Sequence, residues 1–225
     1  MATGKRPILD QRSVFRTNEQ LVSKTLELLR ETLSTPGNLM LSGGSTPYAI
    51  YNQIAAAPGP VHPERSLFLS DERMVPADSP FNNAGNLMPM LHALECEDRF
   101  IRVDTSLPIE DAVSRFSRDI EPLRKIDLGF LGMGPDGHTA GLFTSDQANL
   151  TTGTLTIYTD RPDGMQGLSV TPAVFRRVEK IILLVTGESK RGIINTLLNA
   201  PETIPAGMAL SGHPNVELWT DIKGL

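Results

Sequence analysis

The chain has 225 residues, of which 40% are hydrophobic and 21% are charged, and its formal net charge is -5 at pH 7. An acidic chain without a basic cluster argues against non-specific nucleic-acid binding. No run approaches the ~18 apolar residues of a membrane helix, residues 1–10 lack the apolar core of a signal peptide, and Cys96 is the single cysteine. We therefore expect one cytoplasmic globular domain over residues 1–225, with no membrane or nucleic-acid partner, and take a monomer as the default.

Helices and strands are predicted to alternate along most of the chain. Thr17 and Gln20 fit a capping box ahead of apolar residues at helical spacing, and Asn83 is predicted to cap a later helix. Short apolar runs bounded by turn residues predict the strands. In chain order, the predicted elements are helix 21–33, strand 38–42, helix 47–54, strand 66–70, helix 84–94, strand 99–103, helix 109–123, strands 126–131, 154–159, 168–171 and 180–186, helix 188–198 and strand 216–219.

This alternation predicts an α/β fold with a mainly parallel sheet that helices cover on both faces. In such sheets, ligands bind beyond the carboxyl ends of the strands. Polar or glycine-rich segments follow four of the predicted strands, at residues 43–46, 71–73, 136–138 and 187–190. We expect the four segments to meet in one site. The alternative is that each segment is ordinary turn chemistry.

The most informative segment is the glycine-rich turn after the strand at 126–131, which carries Asp136 and His138 two residues apart. Glycines allow a tight turn and a close approach of ligand to backbone. Histidine suits proton transfer near neutral pH, and a nearby carboxylate can orient the imidazole and stabilise its charged form. We predict a ligand-binding turn with an acid/base group. The alternative is a histidine that only satisfies backbone groups in a loop.

Three other segments offer donors or positive charge to an anion. Residues 43–46 precede a helix and present backbone N–H groups and two hydroxyls, which suits a phosphate; the alternative is an ordinary helix cap. Lys190 lies in the predicted first turn of a helix, where a bound anion would offset its unfavourable position, and Arg191 could take the same role. Arg73 follows two acids and is expected to be held by them and aimed at a phosphate or carboxylate.

Several other kinds of site are disfavoured. Residues 132–137 match Gly-x-Gly-x-x-Gly, but Pro135 lacks the N–H that a pyrophosphate cradle uses, and helical spacing after His138 is poor. The loop at 43–46 lacks the Gly-Lys-Ser/Thr of a Walker A motif. The chain has no Gly-x-Ser-x-Gly elbow and no regular set of metal-ligating residues. We therefore expect neither a metal nor a cofactor.

Three motifs occur in the order Gly43-Gly44-Ser45-Thr46-Pro47, Asp71-Glu72-Arg73-Met74-Val75-Pro76 and Gly132-Met133-Gly134-Pro135-Asp136-Gly137-His138-Thr139-Ala140. Together they resemble the 6-phosphogluconolactonase family, and the resemblance extends to Gly187-Glu188-Ser189-Lys190, Pro205-Ala206 and Trp219-Thr220-Asp221. It implies a sugar-phosphate isomerase/deaminase-like fold and hydrolysis of 6-phospho-D-glucono-1,5-lactone to 6-phospho-D-gluconate in the pentose phosphate pathway. Glucosamine-6-phosphate deaminases share two of the turns, but they place tyrosine where this chain has Arg73.

The resemblance also implies the roles of individual residues. His138 would activate water with the help of Asp136, and the substrate would be bound by Gly43, Gly44, Ser45, Thr46, Asp71, Arg73, Asn83, Gly134 and Lys190. The chain departs from the family pattern at Asn82 in place of serine, Thr144 in place of proline, Gly167 in place of arginine and Ser169 in place of threonine. The change at Gly167 removes a positive group, for which Arg161 or Arg176 could compensate.

Two other functions stay open at this point. A deaminase-like isomerase would release ammonia from glucosamine 6-phosphate. A non-catalytic sugar-phosphate sensor would bind 6-phosphogluconate without hydrolysing the lactone, although the chain has no helix-turn-helix segment or basic face of a DNA-binding regulator. In every case the expected partner is a small sugar phosphate.

Overall fold

The computed structural model describes Leu9, residues 11–15 and residues 17–225. Its strands are β1 (Gln11–Val14), β2 (Gly37–Leu41), β3 (Arg65–Leu69), β4 (Asp71–Arg73), β5 (Phe100–Ile101), β6 (Ile126–Gly132), β7 (Thr156–Asp160), β8 (Gln166–Val170), β9 (Val178–Leu184) and β10 (Val216–Thr220). Its α-helices are α1 (Asn18–Leu33), α2 (Ser45–Ala56), α3 (Asn83–Ala93), α4 (Ile109–Ile120), α5 (Ser145–Ala148), α6 (Pro172–Phe175), α7 (Arg191–Asn199) and α8 (Pro205–Ala209). Single 3₁₀ turns occupy Glu97–Arg99, Glu188–Lys190 and Pro201–Thr203.

The main sheet has seven strands in the order β1-β10-β9-β6-β2-β3-β5, and every neighbouring pair is parallel. From β2 the chain moves outward to β3 and β5, whereas from β6 it moves outward in the other direction to β9 and β10. The strand order therefore reverses between the neighbouring strands β2 and β6. Such a reversal opens a crevice at the carboxyl ends of the strands, which is where open α/β sheets bind ligands.

Each face of the main sheet buries its own apolar layer, because successive side chains of a strand point to opposite faces. On β2, Leu39 and Leu41 pack with apolar residues of α1, α2 and α3. Met40, between them, packs with apolar residues of α4 and α7 on the other face. All three side chains are wholly buried, and each such burial contributes roughly 1.5–3 kcal/mol. The predicted parallel sheet with helices on both faces is confirmed.

A second, smaller sheet was not predicted. It joins β4, β8 and β7 in antiparallel pairs. Residues 71–73, which we expected to be only a loop, form β4 because they pair with the apolar strand β8. Three successive charged residues give no strand pattern of their own, so the pairing could not be predicted locally. It places Arg73 opposite Gly167, at the edge of the candidate site.

The helix starts follow the predicted chemistry with one correction. Thr17 caps α1 by accepting a hydrogen bond from the backbone N–H of Gln20 at 3.3 Å, as predicted. The cap of α3 is Asn82 rather than Asn83, and its side chain accepts from the N–H of Gly85 at 2.7 Å. Because Asn82 takes the capping role that a serine could fill, the side chain of Asn83 is available for other contacts.

The other predicted elements differ from the prediction mainly in length, and the short helices α5, α6 and α8 were not predicted. The strand predicted at 99–103 is limited to Phe100–Ile101, and the helix predicted from residue 188 begins as a 3₁₀ turn before α7. The strand β1 was missed because its four residues include three polar ones. Within the described part of the chain, no helix combines the length and the apolarity that crossing a membrane requires.

Candidate active site

One cavity of about 280 Å³ opens at the carboxyl ends of β2 and β6, where the strand order reverses. Its wall is formed by the turn after β2, the edge of the small sheet, the turn after β6 and the loop after β9. The four segments that were expected to meet do line this cavity. The residues concerned are Gly43, Gly44, Ser45, Thr46, Asp71, Arg73, Gly134, His138 and Lys190, together with Asn83.

The turn after β6, residues 133–138, is here called the histidine turn. Nδ1 of His138 lies 2.5 Å from Oδ1 of Asp136, and the same carboxylate oxygen accepts from the backbone N–H of His138 at 3.3 Å. Partial burial raises the pKa of Asp136, but the charge of His138 and its hydrogen bonds outweigh this and hold the pKa below its usual value. An imidazole that donates from Nδ1 to this carboxylate presents Nε2 as its acceptor atom.

Glycine is required in the histidine turn for steric reasons. A Cβ atom on Gly134 would lie 2.2 Å from Nδ1 of His138 and 2.5 Å from the carboxylate of Asp136. Gly137 has a φ of +82°, a conformation that favours glycine. The turn is closed by hydrogen bonds from the N–H of Gly134 to the carbonyl of His138 and from the N–H of Gly137 to the carbonyl of Gly134. Gly134 thus makes room for the imidazole.

A dinucleotide-binding fold would have a long helix directly after this glycine-rich turn, but no such helix follows the histidine turn. The N–H of Leu142 instead donates to the carbonyl of Thr139, and the next helix, α5, has only four residues. Thr144, which stands where proline is usual, caps α5 through a capping box with Gln147. The local backbone after the histidine turn therefore lacks the long helix that a dinucleotide site uses.

Lys190 reaches the histidine turn from the loop after β9. Its Nζ donates a hydrogen bond to the carbonyl of Met133 at 2.8 Å. Burial lowers the pKa of Lys190, although the charge of Asp136 offsets part of that effect. Arg191, the other candidate for this role, pairs with Glu188 and donates to the carbonyl of Lys223 instead. The geometry therefore places Lys190, and not Arg191, in the cavity wall.

The turn after β2 presents the start of α2 to the cavity. Gly44 is the N-cap residue, with a φ of +116°, and no side chain accepts from the first N–H groups of the helix. These N–H groups and the positive end of the helix dipole can bind an anion. A Cβ atom on Gly43 would lie 2.5 Å from Oδ1 of Asn83, so this position must stay small. The hydroxyl of Thr46 lies 2.8 Å from that of Thr186, which links this turn to the loop after β9.

A third part of the wall consists of Arg73, Asn83 and Arg161, here called the arginine corner. Oδ1 of the buried Asn83 accepts from Nη1 of Arg73 at 2.6 Å and from the hydroxyl of Tyr48 at 2.7 Å. Its Nδ2 donates to the carbonyl of Asp71 at 3.0 Å. Asn83 thus fixes the direction of the Arg73 guanidinium together with the carbonyl of Phe81, which accepts from the same Nη1 at 3.0 Å. The expectation that the preceding acids hold this guanidinium is wrong.

Glu72 has a different task. Its carboxylate is almost wholly buried and accepts backbone N–H groups of Arg73, Asn83 and Ala84 at 2.6–2.8 Å. Burial raises the pKa of Glu72 to about 7, against the opposing effect of these three hydrogen bonds. Glu72 therefore ties the small sheet to the start of α3 and so holds Arg73 and Asn83 in register.

Arg161 and Thr186 were not included among the expected binding residues. Arg161 lines the cavity, whereas Arg176, the other candidate to compensate for Gly167, is exposed beside the amino end of β9. Ser169 accepts from the N–H of Gly141 at 3.0 Å, so its hydroxyl connects β8 to the loop that follows the histidine turn. Among the described residues, no group of three or more His, Cys, Asp or Glu side chains could hold a metal ion.

Comparison with known proteins agrees with this architecture. The sequence profile of the family described as glucosamine-6-phosphate isomerases/6-phosphogluconolactonase matches residues 13–219. A 6-phosphogluconolactonase of Thermotoga maritima is 35% identical over 172 residues, which cover 71% of this chain and 74% of that protein. The structure of a 6-phosphogluconolactonase from Shewanella baltica OS155 has a TM-score of 0.81 at 20% identity and covers 93% of this chain and 97% of the other.

The fold extends to a second activity. The structure of a monomeric glucosamine-6-phosphate deaminase has a TM-score of 0.75 at 20% identity, over 93% of this chain and 96% of the other. The same fold, an α/β architecture with a mainly parallel sheet, therefore occurs in a protein described as a lactonase and in one described as a deaminase. This chain belongs to the glucosamine-6-phosphate isomerase/6-phosphogluconolactonase family.

Proposed function

We propose that the protein hydrolyses 6-phospho-D-glucono-1,5-lactone to 6-phospho-D-gluconate, the second reaction of the pentose phosphate pathway. The observation that carries the proposal is the 2.5 Å contact between Asp136 and His138 in the wall of an anion-binding cavity. The contact supplies an oriented general base, and ester hydrolysis needs one to activate water. The lactonase from Thermotoga maritima, at 35% identity, supports the choice of substrate.

In the proposed mechanism, Nε2 of His138 takes a proton from water as the water oxygen forms a bond to C1 of the lactone. The tetrahedral intermediate then collapses by breaking the bond between C1 and the ring oxygen. The imidazolium returns its proton to that oxygen, which leaves as the C5 hydroxyl. Asp136 keeps Nδ1 protonated and stabilises the imidazolium between the two transfers. The acid product finally loses its proton to solvent.

Two different parts of the cavity would stabilise the negative charge on the reacting carbonyl oxygen and bind the phosphate. Lys190 lies against the histidine turn, so we assign it to the carbonyl oxygen at C1, where charge develops in the transition state. The backbone N–H groups at residues 43–46 and the guanidinium of Arg73 would hold the phosphate. Asp71 and Asn83 support this end, since Asn83 links the backbone of Asp71 to Arg73. We therefore treat Asp71, Asn83 and Gly134 as positioning residues.

The test is a pH-controlled assay that follows the disappearance of freshly made 6-phosphoglucono-1,5-lactone. We expect the protein to accelerate hydrolysis well above the spontaneous rate. Ammonia release from glucosamine 6-phosphate, without lactone hydrolysis, would instead support a deaminase. Binding of 6-phosphogluconate without acceleration would support a sugar-phosphate sensor.

The proposal includes a single domain over residues 1–225 that acts as a cytoplasmic monomer without a metal or cofactor. Because the chain has a single cysteine, the buried Cys96, no disulfide within the chain contributes to its stability. Sedimentation of the purified protein tests the monomer: a dimer at micromolar concentration would contradict it.

A further inference from the structure

Arg161 lies in the cavity wall directly after β7, and no motif in the chain gives it a role. We propose that Arg161 binds the phosphate of the substrate together with Arg73, and that Gly167 is the position that makes room for it. The proposal rests on the proposed function for the identity of the substrate. Its central requirement is a guanidinium that is fixed, accessible from the cavity and close to Arg73.

The guanidinium of Arg161 is fixed on two sides. Asp163 accepts from Nε at 3.1 Å and from Nη2 at 3.0 Å, and the guanidinium carbon lies 5.1 Å from the centre of the Phe143 ring. The side chain is 10% exposed. Within the part of the chain that the structure describes, Nη1 of Arg161 has no hydrogen-bond partner. That nitrogen is the donor left for a ligand.

Gly167 explains how the aliphatic part of the Arg161 side chain is accommodated. Gly167 pairs with Arg73 on one side and with Thr159 on the other, so it lies between the two arginine-bearing segments. A Cβ atom on Gly167 would lie 3.1 Å from the carbonyl oxygen of Glu72, 3.2 Å from Cδ of Arg161 and 3.2 Å from the hydroxyl of Thr159. Because Gly167 has no side chain, the aliphatic part of the Arg161 side chain can lie directly beside it.

Two buried polar atoms near Gly167 lack a hydrogen-bond partner among the described residues. They are Nε of Arg73 and the hydroxyl of Thr159. Thr159 is only 1% exposed and does not line the cavity, so Arg73 is the one of these two residues that a ligand can reach. Phosphate oxygens accept several hydrogen bonds at once and match the guanidinium donors of Arg73 and Arg161.

Arg161 and Arg73 lie close enough to act on the same carboxylate. Slight burial raises the pKa of Asp163, but hydrogen bonds from Arg161 and Met165 and the charges of Arg161 and Arg73 bring it below its usual value. The carboxylate of Asp71 also borders this region. A bound phosphate would therefore be attracted to the two guanidinium groups themselves.

Phe143 sets the distance between the arginine corner and the catalytic base. Its ring centre lies 4.5 Å from that of His138 and 5.1 Å from the guanidinium carbon of Arg161. The imidazole and the guanidinium are thus within roughly 10 Å of each other, close enough for one extended hexose phosphate to touch both. A phosphate at Arg161 and a reacting carbonyl at His138 are compatible with a single substrate.

The test compares Arg161→Gln with Arg176→Gln on two substrates, 6-phosphoglucono-1,5-lactone and unphosphorylated glucono-1,5-lactone. Arg176 is a matched control because it is exposed and does not line the cavity. We expect Arg161→Gln to raise KM for the phosphorylated lactone about 10- to 100-fold, the effect of losing a charge-assisted hydrogen bond, with kcat within about threefold. Hydrolysis of the unphosphorylated lactone should stay unchanged, and Arg176→Gln should match the wild type on both.

A KM effect below fivefold, or an equal loss on both lactones, would overturn the proposal. Calorimetric binding of 6-phosphogluconate gives a readout that needs no turnover, and we expect the same loss of affinity there. If the wild type does not hydrolyse the lactone, the proposed function fails. The role of Arg161 is tested separately: an unchanged Kd of Arg161→Gln for 6-phosphogluconate would overturn it. Equal thermal midpoints of the two variants would exclude a folding defect.

The substitution Gly167→Ala tests whether Arg161 needs the absence of a side chain at position 167. The added methyl group would meet Cδ of Arg161 as well as the carbonyl oxygen of Glu72, so we expect KM for the phosphorylated lactone to rise severalfold. In the Arg161→Gln background the same change should have a smaller effect, since the two residues act through one contact. If the effects of the two substitutions on KM were fully additive, Gly167 and Arg161 would act independently. That result would contradict the idea that Gly167 makes room for Arg161.

Discussion

The histidine turn and the arginine corner line the same cavity but are built in opposite ways. The histidine turn holds its base and its carboxylate two residues apart, and its closing hydrogen bonds all lie within residues 134–138. The arginine corner brings together Arg73, Asn83 and Arg161, and Tyr48 supports it from α2. The comparison suggests a division of labour, in which a local turn performs the proton transfer and a non-local corner recognises the substrate.

Replacement of His138 by alanine should have the largest effect. Loss of the general base should lower kcat about 10²–10⁴-fold, with little change in KM, because the arginine corner stays intact. His92→Ala is the matched control, since that side chain is 85% exposed and pairs with Glu97 instead. A loss of less than about threefold in kcat for His138→Ala would remove His138 from the proposed role.

Asp136→Asn should lower kcat by up to about 10⁴-fold, the loss expected when a carboxylate no longer holds a catalytic imidazole in the right tautomer. KM should change little, because the arginine corner stays intact. Steady-state kinetics on the phosphorylated lactone measures both constants. An unchanged kcat would show that the carboxylate only shapes the loop.

Asn83→Ala should act mainly on binding and stability. It leaves the Tyr48 hydroxyl and Nη1 of Arg73 without the acceptor that they share, so we expect about a tenfold rise in KM and a loss of roughly 1–3 kcal/mol in the free energy of unfolding. Asn82→Ser keeps a good helix cap but loses the donor to the carbonyl of Val75 at 3.3 Å, so it should leave KM unchanged. If kcat fell while KM stayed constant, the corner would have a catalytic role and the division of labour would fail.

Glu72→Gln should reveal how the corner is anchored. The pKa of Glu72 is about 7 in the folded protein and about 4.5 in a free side chain, so its ionisation disfavours the folded state. The stability of the wild type relative to the variant should therefore fall as pH rises from 4.5 to above 7, by roughly 1–3 kcal/mol. Urea denaturation at pH 5 and at pH 8 measures this difference. A constant difference would contradict the buried carboxylate.

The sequence was sufficient to predict the histidine turn but not the arginine corner. Asp136, His138 and their glycines form a continuous segment, so their spacing alone indicates the chemistry. Arg73 could be identified as a candidate, but the acceptor that holds it, Asn83, is ten residues away on another element. Arg161 faces the cavity because β7 pairs with β8 and β8 with β4. The turn Pro162-Asp163-Gly164 is a local signal for the first pairing, but the second pairing has none. The parallel sheet was predictable because its alternation with helices repeats along the chain, whereas β4 is three charged residues long.

The most direct test of the shared cavity is a crystal structure with 6-phosphogluconate bound. We predict that the phosphate contacts the guanidinium groups of Arg73 and Arg161, and that the C1 carboxylate lies within about 2.6–3.2 Å of Nε2 of His138, directly or through one water. A ligand bound in the reverse direction, with its phosphate at the histidine turn, would contradict the division of labour. A ligand bound outside the cavity would contradict the account as a whole.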